Sequence, residues 1–524
     1  PPGAGKTTLV PLAVAERFDG RVLIAQPRRI AARAAARRMA ALLGERVGDT
    51  VGYAVRGERR VGRHTRIEVL TTGLLVRRLQ QDPELPGVAA VLLDECHERQ
   101  LDADLALAFS VEARTALRPD LRLVAMSATV RAEPLAALLG TPDRPAPVLH
   151  APAREHPVEV VWAPPARPVD PPHGTRVDPR LLDHVAGTVC RALAERTGDL
   201  LVFLPGAGEI SAVASRLAEL RDDVDVIPLH GRQSGRDQDA ALRPAPTRRR
   251  VVLATAVAET SLTVPGVRVV VDAGLSRVAR TDLARGLDGL VTVPVSRAAA
   301  EQRAGRAGRE GPGAVYRCWS APDHDRLPAH PEPEIAVADL TWFALQLACW
   351  GHPDGAGLAL PDPPPAAALR AAQSTLRALD AVGPDGRVTE RGRAIAAVGA
   401  HPRLARALLD GAGPLGVRRA AELVALLSEP TLVSDDDLVA SWRRLRAGTA
   451  GSAGLAARWR AEVARLSAVF DELPVTGRSQ HGAATGPGAL DPDATGSDLP
   501  DDLAAGLLVG LAYPERLARA REPG

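Results

Sequence analysis

Val88-Ala89-Ala90-Val91-Leu92-Leu93-Asp94-Glu95-Cys96-His97 is the stretch on which the fold class turns. Six apolar residues in a row suit a strand buried on both faces of a parallel sheet. The run then ends on two adjacent carboxylates. At the mouth of a buried strand these are costly unless they bind a metal or polarise water. Asp94 is therefore expected to hold Mg²⁺ through water, and Glu95 to share that site while orienting or deprotonating an attacking water. A solvated acidic turn is the rival reading. Zinc suits Cys96-His97 poorly, because no further ligands stand at usable spacing.

Toward the N-terminus, Pro1-Pro2-Gly3-Ala4-Gly5-Lys6-Thr7-Thr8 precedes an apolar helical pattern over Leu9 to Phe18. The phosphate-loop pattern GxxxxGK[ST] would need its first Gly one place before residue 1. With no Met and no strand ahead of the loop, the expectation is a fragment that lacks its first strand, in which a targeting segment is neither seen nor excluded. Backbone N–H groups of Gly3, Ala4, Gly5 and Lys6 would cradle phosphates, helped by the positive end of the following helix. Lys6 would reach the β- and γ-phosphates, and the Thr7 hydroxyl, followed by Thr8, would hold Mg²⁺. A turn before a helix is the bland alternative. Composition speaks against it: among 65 basic residues Lys6 is the only lysine, and the chain has no Asn. A compact ammonium sits between phosphates where a planar guanidinium does not.

The remaining composition narrows the class. The 524 residues carry a net charge of +2, with 46% apolar and 24% charged residues, which fits three or four soluble globular domains and no global nucleic-acid footprint. No apolar run is long enough to span a bilayer. Four scattered cysteines suggest a reduced, cytoplasmic protein without a disulfide framework. Further apolar runs at Gly20 to Ala25 and Leu121 to Met126, alternating with helical patterns, extend the parallel α/β sheet. The rhythm restarts at Leu200 to Leu204, Val224 to Leu229, Val251 to Ala254 and Val267 to Asp272. This second unit has no phosphate loop and is expected to supply residues in trans to the first.

Eight motifs then stand in a fixed order: GAGKTT (3–8), QPRR (26–29), TTGLL (71–75), DECH (94–97), SAT (127–129), FLPG (203–206), AETSLT (258–263) and QRAGRAGR (302–309). In order and spacing the chain resembles the superfamily 2 DEAH-box helicases. It is similar to their bacterial HrpB group in VGYAVRGE (51–58), DECHERQLDADLALA (94–108) and LACWGHPDGAGL (347–358). The resemblance implies that Gln302 helps position the attacking water and that Arg306 and Arg309 are arginine fingers on the γ-phosphate. It implies that His97 links nucleotide to the 302–309 motif and that Ser127 and Thr129 couple hydrolysis to strand separation. Nucleic-acid backbone contacts fall to Arg28, Arg29, Thr71, Thr72, Gly73, Thr255 and Thr263, with little sequence preference. A strand-separating hairpin is expected at Gly286 to Pro294, with Asp288-Gly289 as its turn signal. Relatives carry Asn at the place of Ala256 and a base-stacking aromatic at the place of Leu275, with Arg38 on the other face. Weak discrimination between ATP and other nucleoside triphosphates follows.

The expected architecture is α/β: two tandem RecA-like parallel-sheet domains (1–150 and 151–322), a linker and winged-helix domain (323–400), and a helical ratchet-like domain (401–524). Leu473 to Asp502 reads as disordered and Ala504 to Arg521 as helical. The function so implied is an ATP- and Mg²⁺-dependent helicase, acting 3′-to-5′ on single-stranded RNA, or DNA, as a monomer with no membrane and no legible protein partner. The alternatives are a nucleic-acid-stimulated NTPase and an ATP-gated RNA clamp.

Overall fold

The computed structural model describes residues 5–128, 132–141, 143–151, 156–231, 233, 235–241, 243, 248–259, 264–282, 287–429, 437–449, 453–472 and 499–517. These form two compact units, one comprising the chain to Ala338 together with Leu358–Pro363, the other Asp339–Gly357 together with the chain from Pro364. The first unit contains two six-stranded sheets. In the first sheet, β1 (Arg21–Gln26), β2 (Val51–Val55), β3 (Glu58–Arg60), β4 (Ile67–Thr71), β5 (Val88–Leu93) and β6 (Arg122–Ala125) lie in the order β3-β2-β4-β1-β5-β6. Only β2 and β3 pair antiparallel. β5 is buried at all six residues and β1 at all but its first, as helix-covered faces require.

The second sheet repeats the plan with β7 (Val158–Trp162), β8 (Asp199–Phe203), β9 (Val224–Leu229), β10 (Arg249–Ala254) and β11 (Val267–Asp272). A hairpin of β12 (Leu275–Asp282) and β13 (Leu287–Pro294) follows, and then β14 (Gly313–Arg317). The order β7-β14-β11-β8-β10-β9 is parallel throughout. The hairpin corrects the sequence expectation. Asp288-Gly289 is not its turn: Gly289 pairs with Arg280 and Asp288 with Thr281 inside β13, and the connection lies at 283–286, outside the described residues. Eight extended residues before the turn, not counted as a strand from sequence, pair along their whole length. That ladder outweighs a local turn preference.

In the second unit all the extended elements are helical: Thr341–Trp350, Ala366–Ala378, Glu390–Val398, Pro402–Leu415, Val417–Ser428, Leu438–Arg446, Ala453–Glu472 and Asp501–Ala512. An isolated bridge joins Val382 to Val388 between the second and third of these. Trp442 is completely buried and donates Nε1 to Glu422 Oε2 at 3.0 Å. Most of the stretch read as disordered, 473–498, lies outside the described residues. Its end differs from expectation, because Asp501 and Asp502 form the first turn of a helix, where acidic side chains complement the dipole. Among the described residues no helix is long and apolar enough to cross a membrane.

Candidate active site

Because β4, β1, β5 and β6 are adjacent and parallel, their C-terminal ends lie along one edge of the sheet. Gln26 is in register with Thr71, Ala25 with Leu93, and Leu93 with Ala125. Binding residues in open α/β sheets collect at this edge. Gly5, with φ of 76°, turns the chain into the helix Leu9–Arg17 and accepts the N–H groups of Thr8 and Leu9 on its carbonyl. A side chain there would be strained and would meet Leu9 at 2.7 Å. The turn puts Lys6 Nζ 2.9 Å from the carbonyl of Ser127, to which it donates, and Thr7 Oγ1 2.7 Å from Asp94 Oδ2.

Asp94 is buried and also accepts Gln26 Nε2 at 2.6 Å and the N–H of Glu95 at 2.9 Å. Burial and the neighbouring Glu95 push its carboxyl up to about 6, against the pull of the Thr7 and Gln26 hydrogen bonds. Gln26 Oε1 is buried without a partner beside it. A carboxylate, a hydroxyl and an unmet amide oxygen are the hard donors Mg²⁺ prefers, so these residues fit that ion. Among the described residues no cluster of three His, Cys, Asp or Glu forms a protein-only metal cage.

The raised carboxyl has a stability consequence. In the unfolded chain an aspartate titrates near 4, so the fold holds this proton more tightly. The contribution of the neutral form is complete below the unfolded value and lost as pH rises through 6. Asp94→Asn is therefore expected to stabilise the protein by about 2 kcal/mol at pH 8 and by less than half as much at pH 4.5, read from urea midpoints.

Burial lowers the His97 pKa, with the charge of Lys6 adding to it and Glu98 and Asp94 opposing, which favours the neutral ring. Its Nδ1 accepts the N–H of Ala128 at 3.3 Å, so the 3.5 Å contact with Glu95 Oε2 is no proton donation from that nitrogen. The proton then belongs on Nε2, which is buried without a partner.

From the second sheet, Ser296 caps the helix Arg297–Ala304, which leads into the basic motif. Arg303 is buried and donates Nη1 to Asp272 Oδ1 at 2.8 Å and Nε to Glu259 Oε2 at 3.1 Å. Arg306 is also buried but has a neutral acceptor, the Glu259 carbonyl, at 2.9 Å from Nε. Burial and the neighbouring charges of Arg309 and Arg28 pull its pKa far down, while Glu95 and Glu259 oppose this. Arg306 thus lies buried near two half-buried guanidinium groups, Arg309 from its own sheet and Arg28 from the first, and near Glu95 of the first sheet. An added anion would relieve that crowding.

The sequence-derived residues divide accordingly. Lys6, Thr7, Asp94, Glu95, His97 and Ser127 are together, with Arg306 near Glu95 and Arg309 beside Arg306. Gln302 is half-buried four residues before Arg306, and Thr8 is half-buried ahead of the first helix. Arg28 donates to Glu98 Oε2 at 3.0 Å and to the carbonyl of Ala256 at 2.8 Å, tying the two sheets together. The contact uses the backbone of 256, so Ala suffices there. Arg29 is exposed at the start of the helix Arg29–Leu42. Arg38 is exposed further along it and, among the described residues, bonds to nothing at the loop. Leu275 is not presented as a base contact: it is buried in the core of the second sheet. Thr71 precedes and Thr72 opens the helix Thr72–Gln81, and a Cβ at Gly73 would come within 2.6 Å of Asp102. Thr255 follows β10, half-buried. Gly3, Ala4, Thr129 and Thr263 lie outside the described residues. Sequence reading overlooked Gln26, Arg303, Glu259 and Asp272. A polar residue ending an apolar strand was the available signal for Gln26 and Asp272.

Residues 1–138 match the DEAD/DEAH box helicase family, and residues 184–311 the helicase conserved C-terminal domain. The chain is 43% identical to the ATP-dependent RNA helicase HrpB of Escherichia coli K12 over 448 residues, 85% of this chain and 54% of that one. It is 35% identical to the pre-mRNA-splicing factor ATP-dependent RNA helicase prp22 of Schizosaccharomyces pombe, over 82% of this chain and 37% of that one. The crystal structure of the Escherichia coli DEAH/RHA helicase HrpB superposes with a TM-score of 0.82 at 38% identity, over all of this chain and 61% of that one. The chain thus spans about half the length of the first relative and about a third of the second.

Proposed function

Because the chain belongs to the DEAD/DEAH-box helicase family, on its HrpB-type DEAH branch, we propose that it hydrolyses ATP between its two RecA-like sheets and uses the cycle to move along and separate nucleic-acid strands, RNA foremost. The observation that supports this most is the placement of Lys6, Thr7, Asp94 and Glu95 on one sheet with Arg306 from the other near Glu95, and Arg309 beside Arg306. Lys6 exchanges the Ser127 carbonyl for β- and γ-phosphate oxygens. Glu95 accepts the proton of the attacking water as the new O–P bond forms and the bridging oxygen leaves with ADP. Neutral His97 orders the stretch between Glu95 and Ala128 through its Nδ1. Arg306 and Arg309 balance charge on the transferring phosphoryl group. Thr7 and Asp94 would hold Mg²⁺, which when bound would polarise phosphate oxygens.

In this reading the domains fall at 1–150, 151–322, 323–400 and 401–524, with a winged helix around the Val382–Val388 bridge. Movement is 3′-to-5′, the β12–β13 hairpin splits the duplex, and the protein works as a cytoplasmic monomer. Arg29, Thr71, Thr72, Gly73 and Thr255 contact the sugar-phosphate backbone, and Arg28 joins them once released from Glu98. The test is steady-state ATP hydrolysis with and without single-stranded RNA: stimulation by RNA supports this reading, and hydrolysis indifferent to RNA contradicts it.

A further inference from the structure

The turn carrying Glu95 is anchored at its far end by residues that the reading above leaves unused. Cys96–Glu98 form a single tight turn, and the residues on either side, Glu95 (φ 53°) and Arg99 (φ 52°), both stand in the left-handed region. Non-glycine residues persist there only when the surroundings over-determine them. Arg99 carries those surroundings. Its guanidinium donates Nε to Asp104 Oδ1 at 3.3 Å, and Nη2 to Asp104 Oδ2 at 3.0 Å and to Asp362 Oδ2 at 2.7 Å. Its carbonyl accepts the N–H of Glu334 at 3.1 Å, and Glu334 Oε2 accepts the N–H of Leu101 at 3.0 Å.

Asp104 belongs to the same helix as Leu101, so it holds Arg99 from within the first sheet's own layer. Asp362 is different. The chain leaves the first unit after Ala338, returns only for Leu358–Pro363, and leaves again. Asp362 lies on that return, between Pro361 and Pro363, whose rings restrict how the segment rearranges.

We propose that Asp362 and Arg99 are a positioning pair for Glu95, through which the return segment sets the rate of ATP hydrolysis. With Asp362 engaged, Arg99 keeps its left-handed backbone and the turn presents the Glu95 carboxylate to the water. With Asp362 withdrawn, the Arg99 guanidinium keeps only Asp104, its carbonyl keeps the Glu334 N–H, and the turn relaxes. The second unit, covalently continuous with both ends of the return, thereby acquires control over a carboxylate it does not contribute. The proposal rests on Glu95 being the proton acceptor.

The test is ATP hydrolysis by the intact protein at saturating single-stranded RNA, for Asp362→Asn, Asp362→Glu and Glu95→Gln. Asp362→Asn is expected to lower kcat about tenfold with KM for ATP held within about twofold, because Lys6 and Thr7 are untouched. Asp362→Glu restores the charge and should return kcat to within about threefold of the parent. Thermal midpoints should not move. An unchanged kcat in Asp362→Asn overturns the proposal, as does a fall in kcat matched by a rise in KM and a lower midpoint. If Glu95→Gln is inactive while Asp362→Asn is fully active, only the positioning pair fails. If Glu95→Gln remains active, the site reading beneath it fails.

Discussion

Arg306→Ala is expected to lower ATP turnover by about 10³-fold or more while nucleotide affinity changes little. Arg306 is 4% exposed and donates to the backbone carbonyl of Glu259. Arg309 and Arg28 add like charge nearby, and the partial compensation comes from Glu259 and from Glu95 on the other sheet. A buried guanidinium in that company is poised for charge that develops only in the transition state, where a preorganised donor has most effect. The substitution removes a donor from the Glu259 carbonyl, a neutral group. Arg303 in the same motif makes the contrast: it pairs with buried Asp272, and its removal would strand that carboxylate. Arg306→Lys should not rescue, since an ammonium lacks the planar fork. Single-turnover rates and nucleotide titration check this; turnover within about threefold of the parent would contradict it.

Glu95→Gln carries the second large effect, a loss of about 10³-fold in kcat with ATP binding retained. Two carboxylates stand at the end of β5, and their surroundings separate their roles. Asp94 already accepts hydrogen bonds from Thr7, Gln26 and the Glu95 backbone. Its lone pairs are committed to holding the loop and the ion. Glu95 is 8% exposed, in a left-handed turn with His97 Nδ1 at 3.5 Å, and that nitrogen already accepts the N–H of Ala128. In the proposed reading Glu95 is the group that takes a proton. The variant should hold ATP and a single-stranded RNA for longer than the parent, seen as slower dissociation of a labelled oligonucleotide in the presence of ATP. Unchanged turnover would remove Glu95 from the chemistry.

Much of this site was legible from residues alone, for a physical reason. The lone lysine, the Thr after it and the two acids after an apolar strand are demanded by phosphate and metal chemistry at short sequence range. Parallel strand order then brings Thr7 and Asp94 together across 87 positions without any further instruction. Tertiary choices were harder to read. Asp288-Gly289 is a strong local turn signal, but the extended partner at Leu275–Asp282 overrode it. Leu275 was assigned to a base by analogy of position, and instead it fills the core beneath the second sheet. Arg28 and Arg29 look identical in sequence, whereas one bridges to Ala256 and the other is exposed. The Arg99–Asp362 pair spans 263 positions and has no pattern that a single sequence displays.

The most direct test of the coupled-motor account is steady-state ATP hydrolysis by the intact protein, and by its Lys6→Ala variant, with and without single-stranded RNA or DNA. The account predicts turnover that rises at least about tenfold with RNA and falls to background in Lys6→Ala under every condition, since the sole lysine holds the phosphates. Robust hydrolysis indifferent to either nucleic acid would contradict it and leave an NTPase that does not couple to strands. Tight RNA binding with negligible turnover would contradict it in the other direction, in favour of a clamp.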